Sequence, residues 1–363
     1  MNMNPTVAEC IHTNRFPQET VSKEISEKIK FGSFLMTCIV VCYHCRGFDD
    51  ANGMGTWDIL LNDQVRHFME KAGSLAMCYF FSITGFLLFQ NFNFQNYPQK
   101  IRRRISSLLI PYLVWQLLYF MTKVLLCGEA YPLTGFLRQT FCLEKWPLNG
   151  PLWYVYSVFL LALASPILLA LFQNKRIAWP STVLLILLLR FLRETDNPIV
   201  NSVTHYGYLS NTLYYLPFYL IGCYLGRFSK ENTNTDVFLC FFSMLCISYF
   251  LDDLFPSFFF QTTVGLMPLM GLYVLPLPPV LQNKPIYRLS FLMYAIHQPL
   301  LFNVEESVRT GLMLVSPMPV FFQSILAKAI ILALDVVLSF CIHALFKRCC
   351  PRILSLISGG RAS

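Results

Sequence analysis

The sequence has few charged residues. Asp, Glu, Lys and Arg make up 13% of its 363 residues, whereas an average soluble protein carries about 25%. Hydrophobic residues make up 55%, and the mean hydropathy is +0.50. A chain this apolar does not cover a water-facing surface, which excludes a soluble enzyme, and its abundant apolar surface excludes a disordered chain. We therefore expect an all-α, polytopic transmembrane helical bundle.

The sequence also lacks internal repeats and low-complexity linkers. It lacks a recognisable secretory signal as well, since residues 1–30 are polar and without a short apolar core. Apolar stretches that approach the length of a membrane span are frequent instead, and we count about ten. We expect a cytoplasmic tail at 1–30, a membrane domain at 31–346 and a second cytoplasmic tail at 347–363. The predicted spans are Phe31–Phe48, Gly73–Phe89, Ile105–Leu126, Pro151–Phe172, Trp179–Phe191, Thr212–Phe228, Val237–Leu251, Phe258–Leu275, Leu289–Val304 and Val320–Phe346.

Basic residues follow the positive-inside rule if both ends are cytoplasmic, because most of the 28 Lys and Arg residues then lie in cytoplasmic segments. This bias predicts an even number of spans and a multi-pass protein of the cell membrane (inner or plasma membrane). It also accounts for the net charge of +8, so the charge gives no reason to expect a nucleic-acid partner.

Most of the 13 cysteines lie inside apolar runs, where Cys behaves as a small hydrophobic residue. Cys127 and Cys142 share one predicted external loop and are the only pair for which we consider a disulfide. Cys42 and Cys45 flank His44, but ligands at this spacing point in different directions around a helix. We therefore expect no metal site there.

Two histidines lie deep within predicted spans. His44 is fourteen residues after Lys30, about 21 Å along a helix, and His297 is nine residues after Arg288, about 13 Å along. A neutral imidazole accepts a proton at physiological pH and is the usual general base. A histidine hydrogen-bonded between helices is an equally good interpretation. The two approach each other only if their helices are neighbours.

The last predicted span carries a polar stripe, formed by Ser324, Lys328, Asp335, Ser339 and His343. Lys328, Asp335 and His343 lie on one helix face at 100° per residue. The stripe is either a proton path or a polar seam against other helices, and we favour the seam.

Arg102, Arg103 and Arg104 form a triplet at the start of the third span. Guanidinium groups bind phosphate through two parallel hydrogen bonds. Anchoring to anionic lipid headgroups is the alternative interpretation, and the triplet alone favours it.

Six short blocks, in this order, resemble the acyltransferase-3 family of integral membrane O-acyltransferases. The arginine block is the most specific of them. The blocks are KIK at 28–30 leading into VCYH at 41–44, FFSITGFL at 80–87, RRRISSLLIPYLVW at 102–115, PLWY at 151–154, LPFYLIG at 216–222 and SFLMYAIHQPL at 290–300.

The resemblance implies an enzyme of about ten helices that moves an acyl group, most often acetyl, from acyl-CoA to a hydroxyl. The expected acceptor is a sugar, a polysaccharide, a lipid-linked glycan or another component of the cell envelope, and acyl-CoA is a donor substrate rather than a bound cofactor. The implied catalytic residues are His44 and His297. The expected donor-binding residues are Lys30, Arg102, Arg103 and Arg104, and the expected substrate-binding residues are Ser82, Trp153, Tyr294 and Asp335.

Two positions depart from the family pattern. Ser33 stands where a basic residue is usual, and the nearest base is Lys30. Thr84 replaces the commoner Ser before Gly85, which keeps a hydroxyl. A proton-coupled transporter or flippase of glycans or small acids is the main alternative function, because it would use the same intramembrane ionisable groups. A catalytically inactive protein that keeps the fold is a third.

Overall fold

The computed structural model describes residues 23–45, 56–126, 128, 130–143, 146–195, 207–315 and 318–361. These residues form thirteen α-helices, with short 3-10 and π segments and no strand among them. The helices are α1 (Lys23–His44), α2 (Thr56–Phe89), α3 (Tyr97–Arg104), α4 (Ile110–Met121), α5 (Leu133–Thr140), α6 (Trp153–Leu171), α7 (Lys175–Glu194), α8 (Gly207–Arg227), α9 (Asn234–Phe250), α10 (Phe258–Val274), α11 (Ser290–Val315), α12 (Val320–Cys349) and α13 (Pro351–Ser358).

The all-helical prediction is confirmed, and a helix lies on each of the ten apolar stretches. Within the part of the chain that the structure describes, four helical segments are long and apolar enough to cross a membrane, and α9 and α10 are shorter apolar helices. The number of ten spans and the cytoplasmic position of both termini stay predictions. Cys127 lies outside the described residues, whereas Cys142 is buried beside the Tyr112 hydroxyl. The four long segments are Ile59–Phe89, Tyr97–Leu125, Gly150–Leu171 and Val320–Cys349.

Glycines bring α2 and α8 into backbone contact at the centre of the bundle. Gly222 and Gly226 are one turn apart on α8, and a methyl group at either would overlap the α2 backbone, at Ser82 or Phe86 respectively. Gly85 on α2 faces the backbone of Tyr219 in the same way. Small residues at this spacing are typical of close helix pairs in membranes, and here they fix the position of α2, the helix that carries the FFSITGFL block at 80–87.

Helix α1 packs against α2, α11 and α12. Its last turn is held by Lys328 of α12, whose ammonium group donates to the Cys42 carbonyl at 3.4 Å and also to that of Cys45. A cation at the C-terminus of a helix satisfies carbonyls that have no partner within the helix. This contact between two helices is the kind that the seam interpretation expects of Lys328.

The segment predicted as a C-terminal tail contains a docked helix. Leu354 and Ile357 of α13 are buried, and the indole N–H of Trp115 on α4 donates to the Ile357 carbonyl at 2.9 Å. Gly359 then ends α13 in the left-handed conformation, at φ +62°, and lies against the backbone of Ser107. The chain beyond α13 is thereby brought to the mouth of a large cavity.

Candidate active site

A cavity of about 720 Å³ lies among α1, α2, α6 and α11. Its volume falls in the range of about 300–1,000 Å³ that is usual for small-molecule sites. Its lining includes Thr37 of α1, Thr84 of α2, Tyr154 of α6 and Tyr294 of α11. The Thr84 hydroxyl donates to that of Tyr154 at 2.6 Å, because the Tyr154 hydroxyl itself donates to the Phe80 carbonyl. The hydroxyl expected before Gly85 therefore helps to shape this wall.

The cavity is strongly basic, and we call it the basic cavity. Among the described residues its lining has one acidic side chain, Glu27, which accepts hydrogen bonds from the Lys30 ammonium at 2.7 Å and from the backbone N–H of Asn283 at 2.8 Å. These two contacts hold the pKa of Glu27 below its usual range. Because the one carboxylate is already paired, the cavity retains a surplus of positive charge suited to a polyanion. The basic side chains are Lys30, Arg104, Lys284, Arg288 and Arg361.

Arg104 and Arg361 meet in this cavity from distant parts of the chain. The Arg361 guanidinium lies over the ring of Phe291, at 4.6 Å from its centroid. Arg361 is exposed at the open end of the cavity; desolvation by the surrounding protein and the like charge of Arg104 lower its pKa to about 10, so the group is still protonated at neutral pH. No ion pair between either guanidinium and a carboxylate is found among the described residues.

The two histidines that were predicted to lie deep within spans lie side by side. His44 ends α1 and His297 lies in the neighbouring helix α11, with 5.2 Å between ring centroids. The condition for their approach, that the two helices are neighbours, is met. His297 is fully buried, and its Nδ1 lies 2.8 Å from the Tyr294 carbonyl. A carbonyl only accepts, so Nδ1 carries the proton and Nε2 keeps a free lone pair. Nε2 has no hydrogen-bond partner among the described residues.

A proline and a buried loop hold His297 in place. Pro299 has no N–H, so the carbonyl of Ala295 one turn earlier loses its helical partner. The Asn149 side chain donates to that carbonyl at 3.1 Å, and the hydroxyl of Tyr294 donates to the carbonyl of Pro151 in the same loop. The loop before α6 thus fixes the turn of α11 that precedes His297.

A second, smaller cavity of about 280 Å³ opens on the other side of the histidine pair, and we call it the His44 pocket. Besides His44, its wall includes Asn62, Arg66 and Glu70 of α2 and Lys328 of α12. It therefore contains side chains of both charge signs and a neutral amide. Hydroxyl-rich ligands suit such a lining, because it offers hydrogen-bond donors and acceptors together.

The rings of Tyr294, His297 and His44 follow one another between the basic cavity and the His44 pocket. Tyr294 lines the basic cavity, and its ring centroid is 5.8 Å from that of His297. The imidazoles therefore separate two openings of different charge. This arrangement allows two substrates to approach the same pair of side chains from separate sides.

Of the predicted donor-binding residues, the structure places Lys30 and Arg104 in the basic cavity. Arg102 and Arg103 are exposed and do not line it. Successive residues of a helix are 100° apart, so three adjacent arginines do not all face one cavity. The basic residue expected at the position of Ser33 is absent, but Ser33 itself lines the cavity together with the arginines from other segments.

Of the predicted substrate-binding residues, the structure places Tyr294 in the basic cavity, whereas three line neither opening. Ser82 is fully buried, with its backbone against Gly222. Trp153 is buried among aromatic rings, including that of Tyr215 at 6.2 Å. Asp335 is fully buried on α12, and its carboxyl oxygens have no hydrogen-bond partner among the described residues.

The sequence reading missed Arg361 and Asn149. Arg361 lies in a segment interpreted as a tail, although the apolar face of α13 that carries Leu354 and Ile357 was a signal for docking. For Asn149 the only signal was Pro299, which implies a free carbonyl in need of a donor but does not say which residue supplies it.

Comparison of the chain with known protein families and proteins identifies its family. A family model described as an acyltransferase domain matches residues 34–343. No curated protein and no solved structure matches the chain. The matched range includes both histidines, Arg104 and the residues of the His44 pocket. Because the match covers well over half of the chain, the protein belongs to the acyltransferase-3 family and is a multi-pass membrane acyltransferase.

Proposed function

We propose that the protein transfers an acyl group, acetyl by preference, from acyl-CoA to a hydroxyl of a sugar, polysaccharide or lipid-linked glycan of the cell envelope. The position of the histidine pair between two openings of different charge carries this proposal. The location is the inner or plasma membrane.

The donor suits the basic cavity. CoA is a polyanion because of its phosphate groups, and phosphate is bound best by guanidinium forks and ammonium groups. The far end of the cavity, at Thr37 and Tyr294, is lined by hydroxyl groups and lies beside His297. A donor bound by its phosphates at the arginines would extend its thioester toward the histidine pair.

In the proposed reaction His44 is the general base. Its imidazole removes the proton of the acceptor hydroxyl, the oxygen attacks the thioester carbonyl, and the carbon–sulfur bond breaks. The CoA thiolate leaves and takes up the proton from the imidazolium. His297 has a supporting role, because its free Nε2 is an acceptor that can orient the neighbouring His44 ring.

The acceptor would bind in the His44 pocket. Asn62, Arg66 and Glu70 line this pocket beside His44 and offer the mixture of donors and acceptors that neutral hydroxyl groups require. The donor and the acceptor would then meet at the imidazoles without sharing an opening.

The test is transfer of label from radiolabelled acetyl-CoA to candidate acceptors by the purified protein in detergent. General-base catalysis contributes a factor of about 100 to 10,000, so turnover by His44→Ala and His44→Gln should fall at least about a hundredfold. Binding of acetyl-CoA by the same proteins should be unchanged. His343→Gln is the matched control, because this histidine of α12 lines neither opening.

Two results would overturn parts of the proposal. Turnover near wild type in either folded His44 variant would reject His44 as the base and transfer that role to His297 or Asp335. Solute flux that depends on a proton gradient in proteoliposomes, with no thioester cleavage, would instead support the proton-coupled transporter or flippase.

A further inference from the structure

We propose that the docked C-terminal segment is part of the donor site, and that Arg361 and Arg104 together bind one phosphate group of the nucleotide portion of acyl-CoA. This inference rests on the proposed function, since it assumes that the basic cavity takes the donor. It assigns a binding role to a residue outside the range matched by the family model, 34–343.

Arg361 is held in the cavity by a built structure. The Trp115 indole anchors Ile357 of α13 at 2.9 Å. Gly359 follows in a left-handed conformation against the backbone of Ser107, where any larger residue would be strained and would overlap that backbone. Two residues later Arg361 reaches the cavity, stacked over Phe291.

The pair has a charge that its surroundings do not balance. Arg104 and Arg361 repel each other, and among the described residues neither is in an ion pair with a carboxylate. Two like charges kept together at a cavity wall are stabilised by an anion that bridges them. A phosphate group satisfies both forks at once, because each guanidinium presents two parallel N–H groups to its oxygens.

The remaining bases of the cavity indicate more than one phosphate. Lys284 and Arg288 line the same cavity from the segment that precedes α11, while Lys30 is engaged by Glu27. The donor portion that carries several phosphates is the nucleotide end of CoA. The pantetheine arm, which carries the acyl group, has no charge for these residues to bind.

The experiment compares two donors, acetyl-CoA and S-acetylpantetheine, of which the second lacks the nucleotide and its phosphates. Loss of a charged, bidentate contact should raise the KM of Arg361→Gln for acetyl-CoA about tenfold to a hundredfold. Its KM for S-acetylpantetheine and its kcat should equal those of wild type. Arg352→Gln is the control, since Arg352 is exposed on α13 and does not line the cavity.

A double-variant cycle tests whether the two arginines share a ligand. If Arg104 and Arg361 bind the same phosphate, the double glutamine variant should raise the KM by less than the product of the single effects. Arg361→Lys should recover part of the affinity, because it keeps the charge but loses the fork.

Three outcomes would contradict the inference. The first is an unchanged KM of Arg361→Gln for acetyl-CoA. The second is an equal rise in its KM for both donors, which indicates a structural role, and the third is a fully multiplicative effect of the two substitutions on KM in the double-variant cycle.

Equilibrium binding of CoA separates this inference from the proposed function. If wild type binds CoA tightly, Arg361→Gln binds it weakly and neither transfers acyl groups, the phosphate site stands and the acyl-transfer proposal fails.

Discussion

The basic cavity and the His44 pocket lie on opposite sides of the same two imidazoles, yet their electrostatics differ. The basic cavity has five basic side chains and a single acid, which is itself paired. The His44 pocket mixes Arg66, Glu70 and Lys328 with a neutral amide. An excess of one charge sign selects a polyanion, whereas a balanced polar lining suits a neutral hydroxyl compound. The difference supports the proposal that the donor binds in the basic cavity and the acceptor in the His44 pocket.

The two regions also differ in how they are assembled. The His44 pocket is formed within the matched range 34–343. The basic cavity adds Glu27 and Lys30 from before that range and Arg361 from after it. The flanking segments of the chain therefore contribute charged side chains to the basic cavity, and the matched range does not include all of its lining.

The largest expected effect comes from a change that disturbs both regions at once. Helix α2 lines both, and Gly222 presses directly on its backbone at Ser82. Gly222→Val should lower the thermal unfolding temperature strongly, since overpacking costs about 1–3 kcal/mol and backbone is less able to yield than a side chain. It should also weaken the binding of both substrates.

Gly311→Val is the control for Gly222→Val, because nothing lies within 4 Å of a Cβ built at Gly311. An unfolding temperature of Gly222→Val equal to that of the control would show that α2 and α8 are not in backbone contact.

The next largest effect distinguishes Arg104 from the other two members of the arginine triplet. Arg104 lines the basic cavity, whereas Arg102 and Arg103 are exposed outside it. Arg104→Gln should raise the KM for acyl-CoA about tenfold to a hundredfold, the loss of about 1.5–3 kcal/mol from a charged contact. The double variant Arg102→Gln/Arg103→Gln should keep a KM near wild type. If instead the double variant has the larger KM, the donor enters along the outside of α3 rather than through the basic cavity.

Sequence reasoning was successful where one strong physical signal decides the outcome. Long apolar runs predict the helices, and the structure has a helix on each of them. The depth of His44 and His297 in such runs left catalysis and packing equally open; the family resemblance favoured catalysis, and that role stays a prediction. The order of the blocks indicated the family. The helices and the depth of the histidines need only the local sequence and the properties of a bilayer, whereas the family needs the order of the blocks along the chain.

Sequence reasoning was less informative where the same residue type serves packing and chemistry equally well. Ser82 and Trp153 were expected to bind substrate, but the structure places them in a helix contact and an aromatic cluster. Asn149 was missed because its partner carbonyl, that of Ala295, is 146 residues away in the chain. Arg361 was missed because its position depends on how α13 packs, which the local sequence does not specify.

A smaller effect tests the support of the histidine pair. Asn149→Ala leaves the Ala295 carbonyl without its donor beside His297, and an unsatisfied buried group costs about 1–3 kcal/mol. We expect a lower unfolding temperature together with a fall in kcat, and an unchanged KM for acyl-CoA.

Ser165→Ala is a matched control for Asn149→Ala. The Ser165 hydroxyl donates at 2.7 Å to the Ala162 carbonyl, which Pro166 leaves without its helical partner in the same way. Loss of this contact should lower the unfolding temperature and leave kcat unchanged. Equal kcat values in the two variants would show that Asn149 has only a structural role.

The smallest effect concerns pH and the rim of the basic cavity. The pKa of Glu27 is lowered in the folded protein, first by Lys30 and then by the N–H of Asn283. A lowered pKa means that the stabilisation is complete above the ordinary carboxyl pKa and is lost as the pH falls through the pKa of the folded protein.

The unfolding temperature of wild type should therefore drop on acidification below about pH 4.5, and that of Glu27→Gln should drop less. We expect the drops in unfolding temperature of wild type and Glu27→Gln to differ by a few degrees, since about 1 kcal/mol of stability corresponds to about 2–4 °C in chains of about 150–250 residues. Glu24→Gln removes the ion pair of an exposed carboxylate with Lys28 and should follow wild type, because a carboxylate that stays exposed to water gains little from its partner. Parallel pH profiles for wild type and Glu27→Gln would show that Glu27 does not hold the Asn283 loop against α1.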